Sequence, residues 1–193
     1  MADFIRRVVT GHDRNGKAIV ISDGPATAVK SHPNRASHKS TDIWKTTSMP
    51  VPIAAAEADP TQGLRDFVPA NGTKIRIAEI PSEPESFRSL TPEQVREVFR
   101  SGGNEGASTF GENMRHPFMH RTESVDYAVV LEGEVVMLLD EEDVYLKAGD
   151  IVIQRGTNHA WSNRSGKPVR MLYVLIDGRF EPELAQYSRP HTK

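Results

Sequence analysis

His120-Arg-Thr-Glu-Ser-Val-Asp126-Tyr-Ala-Val-Val-Leu-Glu-Gly133 puts a histidine and a carboxylate on one strand-like run that ends in a glycine turn. A second segment, Gly149-Asp-Ile-Val-Ile-Gln-Arg-Gly156-Thr-Asn-His159-Ala-Trp-Ser-Asn163, adds another histidine between turns. Side chains alternate faces along a strand, so residues two or four apart point the same way. His120, Thr122, Asp126, Ala128 and Val130 therefore share one parity, and His159, Trp161 and Asn163 share another. With Ala128 and Val130 facing a core, His120, Thr122 and Asp126 face the same interior nearer its mouth. Two imidazoles and a carboxylate in one cavity suit iron(II), manganese, nickel or zinc, or else direct proton transfer.

Around these segments the pattern is regular. Val125 to Leu131 and Glu134 to Leu139 pair across Glu132-Gly133. An acidic tip, Asp140 to Asp143, reads as a solvated hairpin end. Val144 to Leu146, Ile151 to Ile153, His159 to Asn163 and Val169 to Ile176 follow as short strands separated by turns. Such spacing indicates an all-β sandwich or barrel.

Upstream, Thr73 to Ile80 alternates polar and apolar residues and stops at Pro81, as a half-buried strand does. Thr91 is a fitting N-cap with Pro92 at the first helical position, and Gly102 or Gly103 ends this helix. The spacing predicts a hairpin over Arg6 to Gly24, with Val8-Val9-Thr10 and Ala18 to Ile21 joined across Asn15-Gly16. Pro25 to Thr41 has no periodicity and reads as loop, and Asp42 to Thr47 reads as a strand. Pro50 to Asn71 carries four prolines and reads as an irregular connection that drapes over the barrel or contacts a second subunit. Gly103 to Pro117 is a glycine-rich loop. The resulting organisation is an N-terminal hairpin and extended arm over 1–70, a barrel over 71–178 and a peripheral tail over 179–193.

At 193 residues the chain fills one core. A formal charge of −2 gives no electrostatic case for nucleic acid or an anionic membrane. No apolar run reaches the roughly 18 residues that span a bilayer, and the first residues lack an apolar signal core. A cytoplasmic protein is the expectation. Cysteine is absent, which removes disulfides, thiolate metal sites and cysteine nucleophiles together.

These residues make the chain resemble the cupin superfamily, whose members share a double-stranded β-helix, or jelly-roll, barrel. The family's first motif is a His-x-His followed by Glu and then Gly; its second is Gly, Pro-x-Gly, His and Asn. Six residues separate Asp126 from Gly133, which places Asp126 at the family's Glu. His120 matches the first histidine, and Thr122 stands where the second would be. Gly156, His159 and Asn163 match the end of the second motif. Gly149-Asp150 matches its start with one residue fewer between, and the family proline is missing. The resemblance covers roughly residues 110 to 178, with the strand near Ile75 to Ile80 fitting as an earlier barrel strand.

The resemblance implies a divalent metal (Fe, Mn, Zn or Ni) held by His120, Asp126 and His159, or a metal-free barrel, since one family histidine is replaced and the carboxylate is shortened. It implies a small-molecule enzyme of dioxygenase, isomerase, decarboxylase or dehydratase type, acting on a hydroxy or keto acid, an aromatic compound or a secondary-metabolite intermediate. His120, Asp126 and His159 are then the catalytic residues, and Thr122, Trp161 and Arg155 the substrate-binding candidates. The alternative is a metal-free, non-enzymatic ligand-binding barrel. A homodimer is expected from the way cupins associate and from the long arm.

Each residue has a plainer role beside the functional one. His159 can be satisfied by turn backbone, His120 can sit on the rim, and Asp126 can pair with Arg121 or Arg155. Thr122 can be mere strand, and Arg155 a solvated surface cation. Tyr127 has the opposite parity to Asp126 and faces outward. Asn163 caps a turn. His116, in the preceding loop, is a candidate to replace the missing family histidine. His12, His32, His38 and His191 receive no role.

Overall fold

The computed structural model describes residues 4–32, 35–63, 65–111 and 115–186. Residues 187–193 of the tail, including His191, lie outside the described residues, as does part of the loop before Pro117. The strands are β1 (Arg6–His12), β2 (Ala18–Pro25), β3 (Ala28–His32), β4 (Arg35–Thr46), β5 (Thr73–Ile80), β6 (Ser124–Glu132), β7 (Glu134–Leu138), β8 (Asp143–Lys147), β9 (Ile151–Arg155), β10 (Ala160–Ser162) and β11 (Val169–Asp177). The helices are α1 (Pro92–Ser101) and the single turn α2 (Pro182–Ala185), and short 3-10 segments span Glu85–Ser89 and Glu105–Ala107.

β1 and β2 form the separate N-terminal hairpin. The rest makes an antiparallel six-stranded sheet, β3-β4-β5-β11-β6-β9, and a three-stranded sheet, β10-β7-β8. Their inner faces meet in one apolar cluster: Ala78, Ile80, Ala128, Val130, Val169 and Met171 from the larger sheet pack on Val135, Met137 and Leu146 from the smaller. This is a jelly-roll barrel built from alternating inward side chains. Each buried Val, Leu or Met of the cluster contributes roughly 1.5–3 kcal/mol. The turn from β6 to β7 depends on Gly133 at φ 80°, where a Cβ would stand 3.0 Å from the Pro168 carbonyl oxygen.

Two features depart from the sequence reading. Residues 25–41 are not a loop: Ala28–His32 and the first part of Arg35–Thr46 are strands, and both belong to the barrel sheet although they lie within the expected arm. Their apolar alternation is missing because the inward side chains of β4 are polar: His38, Ser40 and Asp42 are all buried. Along β5, Lys74, Arg76, Ala78 and Ile80 face inward, so the inner row changes from apolar to cationic within one strand. The barrel thus has an apolar end and a polar end.

α1 lies over the polar end. It begins as the sequence indicates: Thr91 Oγ1 accepts from the Gln94 amide at 3.3 Å, while the Gln94 side chain accepts from the Thr91 amide at 2.9 Å. Its buried Val95 and Val98 pack with Phe87 and Phe118.

Candidate functional site

The polar end of the barrel holds a half-open cavity of about 160 Å³. His120, Asp126, His159 and Trp161 all line it. The two histidines meet through their backbones. The His120 amide donates to the His159 carbonyl and the His159 amide donates back to the His120 carbonyl, each at 2.9 Å. Residues paired in this way stand directly opposite each other, so their rings lie side by side with centroids 4.2 Å apart.

Both tautomers follow from the neighbours. His120 Nδ1 lies 3.0 Å from the Phe118 carbonyl, and His159 Nδ1 lies 3.0 Å from the Thr157 carbonyl. A carbonyl only accepts, so each Nδ1 carries a proton, although Gln154 Nε2 also stands 3.2 Å from His159 Nδ1. Gln154 donates to the same Thr157 carbonyl at 2.8 Å and fixes that loop. Burial, then the adjacent His120, push the His159 pKa down to about 3 against a small opposing effect of its Thr157 bond. His159 is a neutral base-side nitrogen through the physiological range.

Asp126 is buried on β6 between Ser124 and Ala128. Burial pushes its pKa up to about 6, against a hydrogen bond from Ser124 and the charge of Arg76. Its Oδ1 is buried with no hydrogen-bond partner. An orphaned carboxylate oxygen and two imidazole lone pairs are suitable donor chemistry for a divalent ion. Among the described residues, however, no three His, Asp or Glu side chains are gathered closely enough to share one ion. The three residues share a cavity without forming a closed ligand shell.

The other sequence candidates are placed as follows. Trp161 stands edge-on to His159 at 5.7 Å and to Tyr173 at 5.6 Å, as a wall. Thr122 is buried and does not line the cavity, its hydroxyl lying 2.8 Å from that of Ser124. Arg155 is exposed on β9 and does not line the cavity. His116 does not line it either: Nε2 is bonded to Glu83 at 3.0 Å and Nδ1 accepts from the Phe118 amide at 3.1 Å. Asn163 does cap a turn, accepting from the Ser165 amide and hydroxyl, and Tyr127 faces out.

Residues that sequence reasoning passed over complete the walls. Phe99 of α1, 5.5 Å from His120, joins Phe118, Tyr173 and Leu175 on the apolar side. Arg76, His38 and Ser40 form the polar side. The available signal was parity: Lys74 and Arg76 alternate in phase with Ala78 and Ile80.

A family model described as a cupin domain matches residues 109–175. The cupin-domain-containing oxidoreductase fogC of Aspergillus ruber is 30% identical over 178 residues, covering 89% of this chain and 71% of that one. The phomopsin biosynthesis cluster protein C' of Diaporthe leptostromiformis is 52% identical over 63 residues, 32% of this chain and 33% of that one. The chain thus spans about a third of that relative's length. The cupin-domain-containing oxidoreductase virC of Hypocrea virens is 42% identical over 72 residues, 35% of this chain and 37% of that one.

Proposed function

The chain belongs to the cupin superfamily, and from that premise we propose that it is a small-molecule enzyme whose chemistry takes place in the barrel cavity at His120, Asp126 and His159. One observation carries this: the backbone pairing of His120 with His159 aligns two imidazoles in a cavity that also buries a carboxylate with an orphaned oxygen. Relatives named as oxidoreductases, and one named for a biosynthesis cluster, favour an oxidoreductase acting on an intermediate of small-molecule biosynthesis.

His120 and His159 would hold a divalent ion (iron, manganese, zinc or nickel), with Asp126 in the same cavity but not gathered with them around one ion. Such an ion, when bound, polarises a substrate oxygen and, if redox-active, exchanges electrons with it. The protein's own groups have separate tasks. His159 stays neutral at working pH and keeps its lone pair available. Asp126, with a pKa pushed up to about 6, takes and returns a proton near neutrality. Phe99, Phe118 and Trp161 give the reacting centre an apolar wall.

A second reading is metal-free acid–base catalysis by the same three residues, favoured by the lack of a three-ligand cluster among the described residues. Elemental analysis of protein purified without chelator, beside His159→Ala and Asp126→Asn, separates the two. Stoichiometric metal in the wild type that is lost on His159→Ala supports the ion. A wild type devoid of metal that still turns over substrate supports acid–base chemistry. A His159→Ala variant with full activity would overturn both.

A further inference from the structure

We propose that Arg76 anchors a carboxylate of the substrate, and that the substrate is a carboxylic acid on a body about the size of one ring. This rests on the cavity being the substrate site. Arg76 faces inward from β5 and lines the cavity. Its guanidinium stands over the Phe67 ring at 5.8 Å and is hydrogen-bonded along one edge: Nε donates to Asp42 Oδ1 at 2.6 Å, and Nη2 reaches Asp42 Oδ2 at 3.4 Å and the Asp66 carbonyl at 3.3 Å. Nη1 makes no hydrogen bond to any described residue. A fork clamped by Asp42 with one nitrogen left for a guest is oriented before the guest arrives.

The surrounding charges lack an anion. Asp42 is shared by Arg65, Lys74 and Arg76, and Asp66 is shared by Lys45 and Lys74. Two carboxylates therefore serve four cations, and Lys74 is among the most deeply buried side chains of the protein. Even with Asp126 counted as ionised, positive charge is in excess. Burial first, then the charge of Arg76, push the Arg65 pKa down to about 10 against the pull of Asp42 and Asp66. A buried surplus of one sign is costly until a counter-ion meets it. A monoanion matches the surplus better than a doubly charged phosphate, because Asp42 and Asp126 already stand near.

The remaining walls define the body of the guest. Phe99, Phe118, Trp161 and Tyr173 bring aromatic surface to a space of about 160 Å³. An apolar cavity of about 150 Å³ accommodates benzene. An acid group at Arg76 and a ring among these four side chains leave the guest between the cation and the His120–His159 pair.

The test uses the full-length protein, with benzoate and its neutral counterpart benzamide as probes. Affinity is measured by calorimetry, and the site is located through the imidazole resonances of His120 and His159. In the wild type benzoate binds at least tenfold more tightly than benzamide, and both perturb the two histidines. Arg76→Gln removes the preference and leaves benzamide affinity unchanged. Arg76→Lys, which keeps the charge for Asp42, retains part of it; this variant decides the matter if Arg76→Gln does not fold. Equal binding of the two probes at the histidines overturns the anchor while leaving the cavity as a ligand site. Failure of both probes to perturb either histidine overturns the ring-sized acid and the cavity reading together.

Discussion

His120 and His159, thirty-nine positions apart in sequence, exchange both of their backbone hydrogen bonds at 2.9 Å, and this single pairing sets their imidazoles 4.2 Å apart. The loop before β6 and the loop before β10 are thereby joined at the cavity. The pairing is made by backbone, so it survives replacement of either ring. The imidazoles are consequently a feature that can be removed without dismantling the barrel around them.

Burial of neutral His159 makes the protein acid-sensitive in a defined window. Its folded pKa, about 3, lies below its ordinary value of 6.5, so the unfolded chain binds the proton first. The stability this group contributes is fully present above pH 6.5 and is lost as pH falls toward 3. The expected loss is a few kcal/mol. Denaturant unfolding of wild type and His159→Gln at pH 7.5 and pH 4.5 checks it. The wild type should lose more stability over this interval than the variant; equal losses would mean that the ring is not buried neutral.

Asp126 has the opposite sign. Its folded pKa, about 6, exceeds the ordinary 3.8, so its contribution is fully present below pH 3.8 and is lost as pH rises through 6. Asp126→Asn should therefore be more stable than the wild type at pH 8, by up to about 3 kcal/mol, and nearly equal to it at pH 4. Catalysis should fall in the same variant at every pH. A variant that is less stable at pH 8 would show that an unseen cation compensates the carboxylate.

Parity carried most of what the sequence revealed. Ala128 and Val130 face the core, and Asp126 faces the cavity beside them, as the alternation around Gly133 requires. The Thr91–Gln94 cap and the Asn163 turn were also local, and so legible. Residues 25–41 were not. A strand whose inward positions are His38, Ser40 and Asp42 has no apolar periodicity, because its face meets charge rather than core. Arg76 was hidden for the same reason: an inward arginine is intelligible only beside Asp42, thirty-four positions away. His116 had ligand chemistry in sequence, but Glu83 and the Phe118 amide occupy both of its nitrogens.

The buried ionic cluster should respond asymmetrically to its two signs. Asp42→Asn removes the carboxylate shared by Arg65, Lys74 and Arg76 and leaves those cations facing one another. Breaking a buried ion network from that side costs about 3–5 kcal/mol. Lys74→Met removes one cation of the surplus, and both aspartates keep another partner, Arg76 or Arg65 for Asp42 and Lys45 for Asp66. It should be neutral or stabilising. Urea midpoints of the two variants test this, and similar losses in both would refute a cation excess.

Glu83 sits at the head of a chain of contacts that ends on the cavity. Its two oxygens take the His116 ring and the Ser162 hydroxyl, each at 3.0 Å. Burial alone would raise its pKa, but the hydrogen bonds from His116 and Ser162 hold the carboxyl below its usual range. His116 in turn receives the Phe118 amide, and the Phe118 carbonyl receives His120 Nδ1–H. Removing the carboxylate leaves His116 and Ser162 buried without their acceptor, at a cost of about 1–3 kcal/mol. Glu83→Ala should lose that stability and also broaden or shift the His120 imidazole signal, whereas Glu83→Gln, which can still bond both partners, should restore the signal and much of the stability. If the alanine variant unfolds earlier yet leaves the His120 resonance unmoved, Glu83 supports the barrel alone and does not position the histidine.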